Sequence, residues 1–305
     1  MASSCRRPLV SILGDSISTF QGCNPDGFDV FYEGERCAAT GVRRREDTWW
    51  QMTIDALGGE LLSNGSFSGS MVEGAGFPAA SSAERIEALS RDGLAPDIVI
   101  VFLGINDYGW GGAANQAAGR GRALPPAAPA CESRVVAAAC PDAAESFSSA
   151  YATMLSRLRA SYPDAQAWCC TLCPGRLAGS AAPTFIRRLR GIDVARYDEA
   201  VRIQAAAHGC KTIDLAAFGR DYEAFDGTHP AALGMRQIAA MVLESMRRQG
   251  LDKAIDSDKG ALSLEAVFAD DGLRAQDFCD RSDCLGCAHA RSTGNAWSLV
   301  CEKNR

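Results

Sequence analysis

The stretch "LGDSIS", Leu13 to Ser18, sets a carboxylate and a hydroxyl directly behind an apolar run, "PLVSILG". A serine hydroxyl is a weak nucleophile until a general base takes its proton, and histidine suits that task because its ordinary pKa lies near neutrality. The chain has only three histidines. His208, in "AAAHGC", stands where a helical pattern ends before Gly209, a place the helix dipole explains without any catalytic role. His289 lies in a cysteine-rich tail. His229, in "FDGTHP", follows Asp226 by three residues in a loop after the last strand-like run. A carboxylate at that spacing can fold back onto one ring nitrogen and leave the other for a serine, so Ser16, Asp226 and His229 form a candidate triad in chain order. The competing reading is a helix cap, with Asp226 or Thr228 before Pro230 starting the next helix.

Acyl transfer also needs donors aimed at a developing oxyanion. "SNGSFSGSM", Ser63 to Met71, follows a second strand-like run and offers a glycine-bearing loop whose backbone can approach a substrate closely. "GIND", Gly104 to Asp107, follows a third and offers the carboxamide of Asn106. Turn geometry accounts for Gly65, Gly69 and Asn106 one at a time. Their shared position, each behind a strand, is what suggests a site.

The elements that must position these residues alternate. Strands are expected near 8–13, 60–64, 98–104, 166–172 and 211–215, and helices near 48–57, 82–92, 143–161, 185–208 and 232–249. Nearly continuous apolar runs such as "DIVIVFLG" suit strands buried on both faces, so the alternation predicts a parallel sheet covered by helices, with ligands at the carboxyl ends of its strands. Residues 109–142 are rich in Gly, Ala and Pro and interrupt the pattern after the third strand, which predicts either a long loop or lid at the rim of the site or a flexible insertion with no role. Asp15 argues against a phosphate-binding loop after the first strand, since it sets a negative charge where an anion would sit.

In order, "GDSIS", "NGSFSGS", "GIND" and "DGTHP" resemble the four blocks of the SGNH (GDSL-type) hydrolases, over roughly residues 8–249. The one departure is Ile17, where leucine is usual in the serine block. The resemblance implies a flavodoxin-like three-layer α/β/α sandwich with a five-stranded parallel sheet. It implies Ser16 as nucleophile, His229 as base and Asp226 as its orienter, with the oxyanion held by the backbone N–H groups of Ser16 and Gly69 and the side chain of Asn106. The expected activity is ester hydrolysis through an acyl-enzyme, removing a short acyl group from a carbohydrate-like or other small soluble alcohol. The alternatives are a lipase or lysophospholipase-type acylhydrolase and a catalytically silent binding protein of the same fold.

A net charge of −6 and a pI near 5.2 offer no basic footprint for nucleic acid or an anionic membrane, which leaves a small-molecule ester as the expected partner. The longest uncharged apolar run, Ile98 to Ile105, is far short of a membrane span. No apolar leader precedes the first strand, and thirteen cysteines, partly in core-like segments such as "WCCTLC", do not read as an extracellular disulfide framework. A cytoplasmic location is therefore expected. Trp49, Trp50, Tyr108 and Trp110 flank the motifs and either wall a substrate pocket or pack in the core. The chain divides into a hydrolase domain, 1–250, and a cysteine-rich appendage, 251–305. Catalysis calls for no cofactor, while Cys279, Cys284, Cys287 and Cys301 suggest a structural zinc, with His289 as a substitute ligand. Reduced thiols, disulfides or a cluster are the other readings of that spacing.

Overall fold

The computed structural model describes residues 6–111, 143–180, 183–189, 191–251 and 262–268. Five strands form a wholly parallel sheet: β1 (Leu9–Gly14), β2 (Glu60–Asn64), β3 (Ile98–Phe102), β4 (Gln166–Cys170) and a fifth, Lys211–Ile213, in the spatial order β2-β1-β3-β4-fifth. β1 is central enough to pair on both sides, with Ile12 opposite Asn64 on one flank and Ile100 on the other. Every residue of β3 is buried, as a strand covered on both faces requires. This is the flavodoxin-like α/β/α sandwich.

The covering helices are α1 (Glu35–Thr40), α2 (Trp49–Ala56), α3 (Ala83–Glu87), α4 (Ile105–Trp110), α5 (Ala143–Ser161), α6 (Ala195–Ala207) and α7 (Ala232–Met246). α5 buries Phe147, Tyr151, Met154, Leu155 and Leu158, three and four residues apart, and so presents one apolar stripe to the sheet and to α6. α2 packs against α7 instead. A last short helix, α8 (Leu264–Val267), lies on α7, where Gln237 Nε2 donates to the Val267 carbonyl at 3.2 Å.

Two helices are shorter than their periodicity predicts. The one expected over 82–92 ends at Glu87, and an Asp92–Gly93 turn with positive φ at both residues bridges Arg91 to Leu94. The one expected over 185–208 begins only at Ala195. Before it, Arg188–Leu189 pairs antiparallel with Ile192–Asp193 around Gly191, and the Asp193 carboxylate then accepts the Ala195 N–H at 2.9 Å. A small parallel pair, Gly175–Leu177 with Tyr222–Ala224, has no counterpart in the sequence reading. It leads the chain into the loop that carries Asp226 and His229. The Gly/Ala/Pro-rich stretch starts as helix, since Gly109 and Trp110 close α4, and residues 112–142 lie outside the described residues.

Candidate active site

Ser16 follows β1 at the carboxyl edge of the sheet and opens a single 3-10 turn, Ser16–Ser18. Asp15 caps that turn: its Oδ1 accepts the Ile17 N–H at 3.0 Å, and its carbonyl accepts the Ser18 N–H. Burial pushes the Asp15 carboxyl up to about 6, against the opposing pull of the Ile17 N–H, His229 and Arg85. Only glycine fits at position 14, because a Cβ there would lie 2.5 Å from Ser18 Oγ and 2.8 Å from Ser66 Oγ.

The glycine-bearing loop is tied to this turn. Asn64 donates to the Ser18 carbonyl at 2.8 Å and accepts the Ser66 N–H, while Phe67 N–H donates to the Gly14 carbonyl at 3.1 Å. The Gly65 N–H is spent on the Ile12 carbonyl at 2.8 Å, which prevents it from serving a substrate. Gly69 sits half-buried at φ +80° in the turn closed by Ser70 N–H on the Phe67 carbonyl. From the third strand end, Asn106 Nδ2 donates to the Ser70 carbonyl at 2.8 Å, and Asp107 accepts the N–H groups of Val72 and Glu73 at 3.0 Å. Burial and the neighbouring Glu73 raise the Asp107 carboxyl well above the usual range, despite those two N–H donors. Two consecutive residues of "GIND" thus grip the glycine loop.

His229 Nε2 stands 2.9 Å from Ser16 Oγ, across 213 residues of chain, and its Nδ1 stands 2.7 Å from Asp226 Oδ2. The other Asp226 oxygen accepts the N–H groups of Thr228 and His229 at 3.0 and 2.8 Å. Burial pushes the Asp226 carboxyl up, but His229 and these N–H donors outweigh it and hold the group below the usual carboxylate range. The hydrogen-bond pattern assigns the proton of a neutral ring to Nδ1, leaving Nε2 to accept from the serine. The loop is closed by Phe225 N–H on the His229 carbonyl, and Tyr222 and Tyr32 hydroxyls donate to the Thr228 and Pro230 carbonyls.

The structure therefore brings Ser16, Gly69, Asn106, Asp226 and His229 to one edge of the sheet. It does not do so for the aromatic candidates. Trp49, Trp50, Tyr108 and Trp110 are all buried, Trp49 edge-on to Phe102 and Tyr108 between Phe185 and Tyr197. The aromatic ring at the site is instead Phe31, stacked on His229 with centroids 3.5 Å apart and planes 6° off parallel, with Arg36 5.0 Å from its centroid. Neither Phe31 nor Arg85 carries any local sequence signal. His208 ends α6, where Nδ1 contacts the Gln204 carbonyl at 2.8 Å and Nε2 contacts Ser156 Oγ at 3.0 Å.

The structural zinc expected on Cys279, Cys284, Cys287 and Cys301 is withdrawn. Among the described residues no group of three or more His, Cys, Asp or Glu side chains could hold a metal ion. Those four cysteines and His289 lie outside the described residues, so spacing alone had carried the idea. Cys169, Cys170 and Cys173 are buried free thiols, pushed up by burial, with a contact to Cys210 the leading cause at Cys169. No helix among the described residues is long and apolar enough to cross a membrane.

Fold and strand-end loops together define a three-layer α/β/α protein with its candidate site at the carboxyl edge of a parallel sheet. The sequence model for GDSL-like Lipase/Acylhydrolase matches residues 8–120, which include the serine, glycine and asparagine blocks and end before Asp226. Two crystal structures described as GDSL-like lipases are similar. The one from Bacteroides uniformis is 25% identical, with a TM-score of 0.53 over 79% of this chain and 96% of its own. The one from Bacteroides ovatus is 23% identical, with a TM-score of 0.50 over 80% and 100%. No curated protein matches the chain in sequence. The chain is thus similar to the GDSL-like lipases and acylhydrolases over residues 8–120, and to these two crystal structures in fold.

Proposed function

We propose that this protein is a serine esterase in which Ser16 Oγ attacks a carboxylic ester while His229 Nε2 takes its proton. The tetrahedral oxyanion is held by the N–H groups of Ser16 and Gly69 and by Asn106 Nδ2, His229 returns the proton to the leaving alcohol, and water activated by the same nitrogen frees the acyl-enzyme. The observation that carries the reading is the continuous relay from Ser16 through His229 to Asp226, with contacts of 2.9 and 2.7 Å. Gly69 is preferred to Gly65 as donor because the Gly65 N–H is already engaged. The catalytic unit is residues 1–250, with the remainder an appendage outside the chemistry. The substrate is a short acyl ester of a carbohydrate-like or other small soluble alcohol. Support comes from an aromatic cluster on the loops that follow β1 and β2: Phe28, Phe67 and Phe77 have centroids 5.3–5.6 Å apart, and Phe77 is 44% exposed.

The test is hydrolysis of p-nitrophenyl esters of increasing acyl length by wild type and Ser16→Ala, with mass-spectrometric mapping of a fluorophosphonate adduct. Turnover should be best on acetyl or similarly short esters, absent in Ser16→Ala, and the adduct should map to Ser16. Turnover retained in Ser16→Ala would remove the mechanism, and a preference for long chains would favour the acylhydrolase reading of the substrate.

A further inference from the structure

Arg85 projects from α3 and is fully buried. Its guanidinium donates through Nε to the Gly65 carbonyl at 3.0 Å, through Nη1 to the Pro78 carbonyl at 2.6 Å and through Nη2 to the Gly14 carbonyl at 2.8 Å. These carbonyls belong to the end of β1, the start of the glycine loop and the segment beyond it. Ser16 comes two residues after Gly14, and Gly69 four after Gly65. The rings of Phe28 and Phe67 each lie 5.9 Å from the guanidinium carbon and help to keep water from it.

Burying a cation is expensive unless it is paired, yet all three of these bonds go to neutral carbonyls. A planar fork explains why arginine suits three acceptors on three segments. Fastening alone leaves the charge unexplained. Among the described residues the ground state provides only Asp15 as a nearby acidic partner, whose carboxyl burial pushes up to about 6. The reaction proposed above supplies another negative charge at the same strand end, on the tetrahedral oxygen.

We propose, on the basis of that esterase reading, that Arg85 is a positioning residue which sets the spacing between the Ser16 turn and the Gly69 turn and whose charge favours the oxyanion formed between them. It touches neither substrate nor reacting atoms and acts through the Gly14 and Gly65 carbonyls.

The experiment compares wild type, Ser16→Ala, Arg85→Lys and Arg85→Met. It reads p-nitrophenyl acetate turnover per phosphonate-titrated site and the inhibition constant of a small trifluoromethyl ketone, whose adduct with serine carries the oxyanion. Arg85→Met should lose on the order of 10²-fold in kcat with KM within about threefold, and the ketone should weaken in parallel. Arg85→Lys keeps the charge but not the fork, so a loss of about tenfold is expected, and this variant decides the matter if Arg85→Met does not fold. A purely structural role would lower Tm while leaving kcat per titrated site and ketone affinity near wild type. That result, or a loss confined to KM, overturns the inference while an inactive Ser16→Ala leaves the esterase reading standing. Hydrolysis undiminished in Ser16→Ala removes both.

Discussion

Replacing Asp226 by asparagine changes one atom of the proposed relay and very little of its shape. The asparagine oxygen can still accept the Thr228 and His229 N–H groups that Asp226 Oδ1 accepts at 3.0 and 2.8 Å, so the loop should keep its form. The amide nitrogen then faces His229 Nδ1, where a carboxylate oxygen stood at 2.7 Å. Two donors cannot share that contact, so the imidazole must shift its proton to Nε2, and the Ser16 hydroxyl loses its acceptor. The imidazolium that forms during attack also loses its counter-charge. Losing an opposite charge at this range costs roughly 1.4–4 kcal/mol in the transition state, or about 10 to 10³ in rate. With the tautomer change added, Asp226→Asn should fall by on the order of 10²–10³ in kcat, less than Ser16→Ala or His229→Ala. The Asp226 carboxyl is held below its ordinary value, so its stabilising contribution is present above pH 4 and lost only in stronger acid. The carboxylate's own ionisation should therefore add no slope to the stability gap between variant and wild type from about pH 5 to 9. Initial rates on p-nitrophenyl acetate across that range, with melting curves at each pH, test both statements. Turnover within fivefold of wild type at every pH, with His229→Ala inactive, would reduce Asp226 to a cap of its own loop.

Asn106→Ala should lower kcat by roughly 10²–10³ with little change in KM, because its donor matters most once the oxyanion exists, and a change confined to KM would reassign it to substrate binding. Phe31→Leu removes the ring stacked on His229, and the ordinary worth of an aromatic pair predicts a loss of about 2- to 12-fold in kcat, restored by Phe31→Tyr. No loss in Phe31→Leu would leave the ring a bystander. Asp15 is pushed up from 3.8 to about 6, so the folded state holds a proton that the unfolded chain has released, and wild-type stability should fall as pH rises from 4 towards 7. Asp15→Asn lacks that titration and should gain on wild type over the same window by at most about 3 kcal/mol in denaturant melts. A difference that does not change with pH would refute it.

Strands were legible because a parallel sheet buried on both faces demands runs such as "IVIVF", and all five main strands lie within a few residues of their expected places. Helix ends were less so. The stop after Glu87 depends on the Asp92–Gly93 turn, and the late start at Ala195 depends on a local pairing around Gly191, each of which overrides an otherwise helical composition. The aromatic candidates stayed open between pocket and core for a plain reason: tryptophan in an amphipathic segment has the same spacing in either case, and the packing of α2 against α7 and the sheet put Trp49 and Trp50 inside.

The sequence by itself determined the sheet, the order of the four blocks and the residue types a relay would need, because hydrophobic period and strand-end loops are local properties. Only the tertiary structure decided which groups meet. His229 reaches Ser16 across 213 residues because Tyr222–Ala224 pairs with Gly175–Leu177 and delivers the loop to the carboxyl edge of β1. Phe31 over the imidazole and Arg85 beneath the two turns became visible the same way, since stacking and a buried three-way clamp join segments far apart in sequence and leave no period or spacing along the chain.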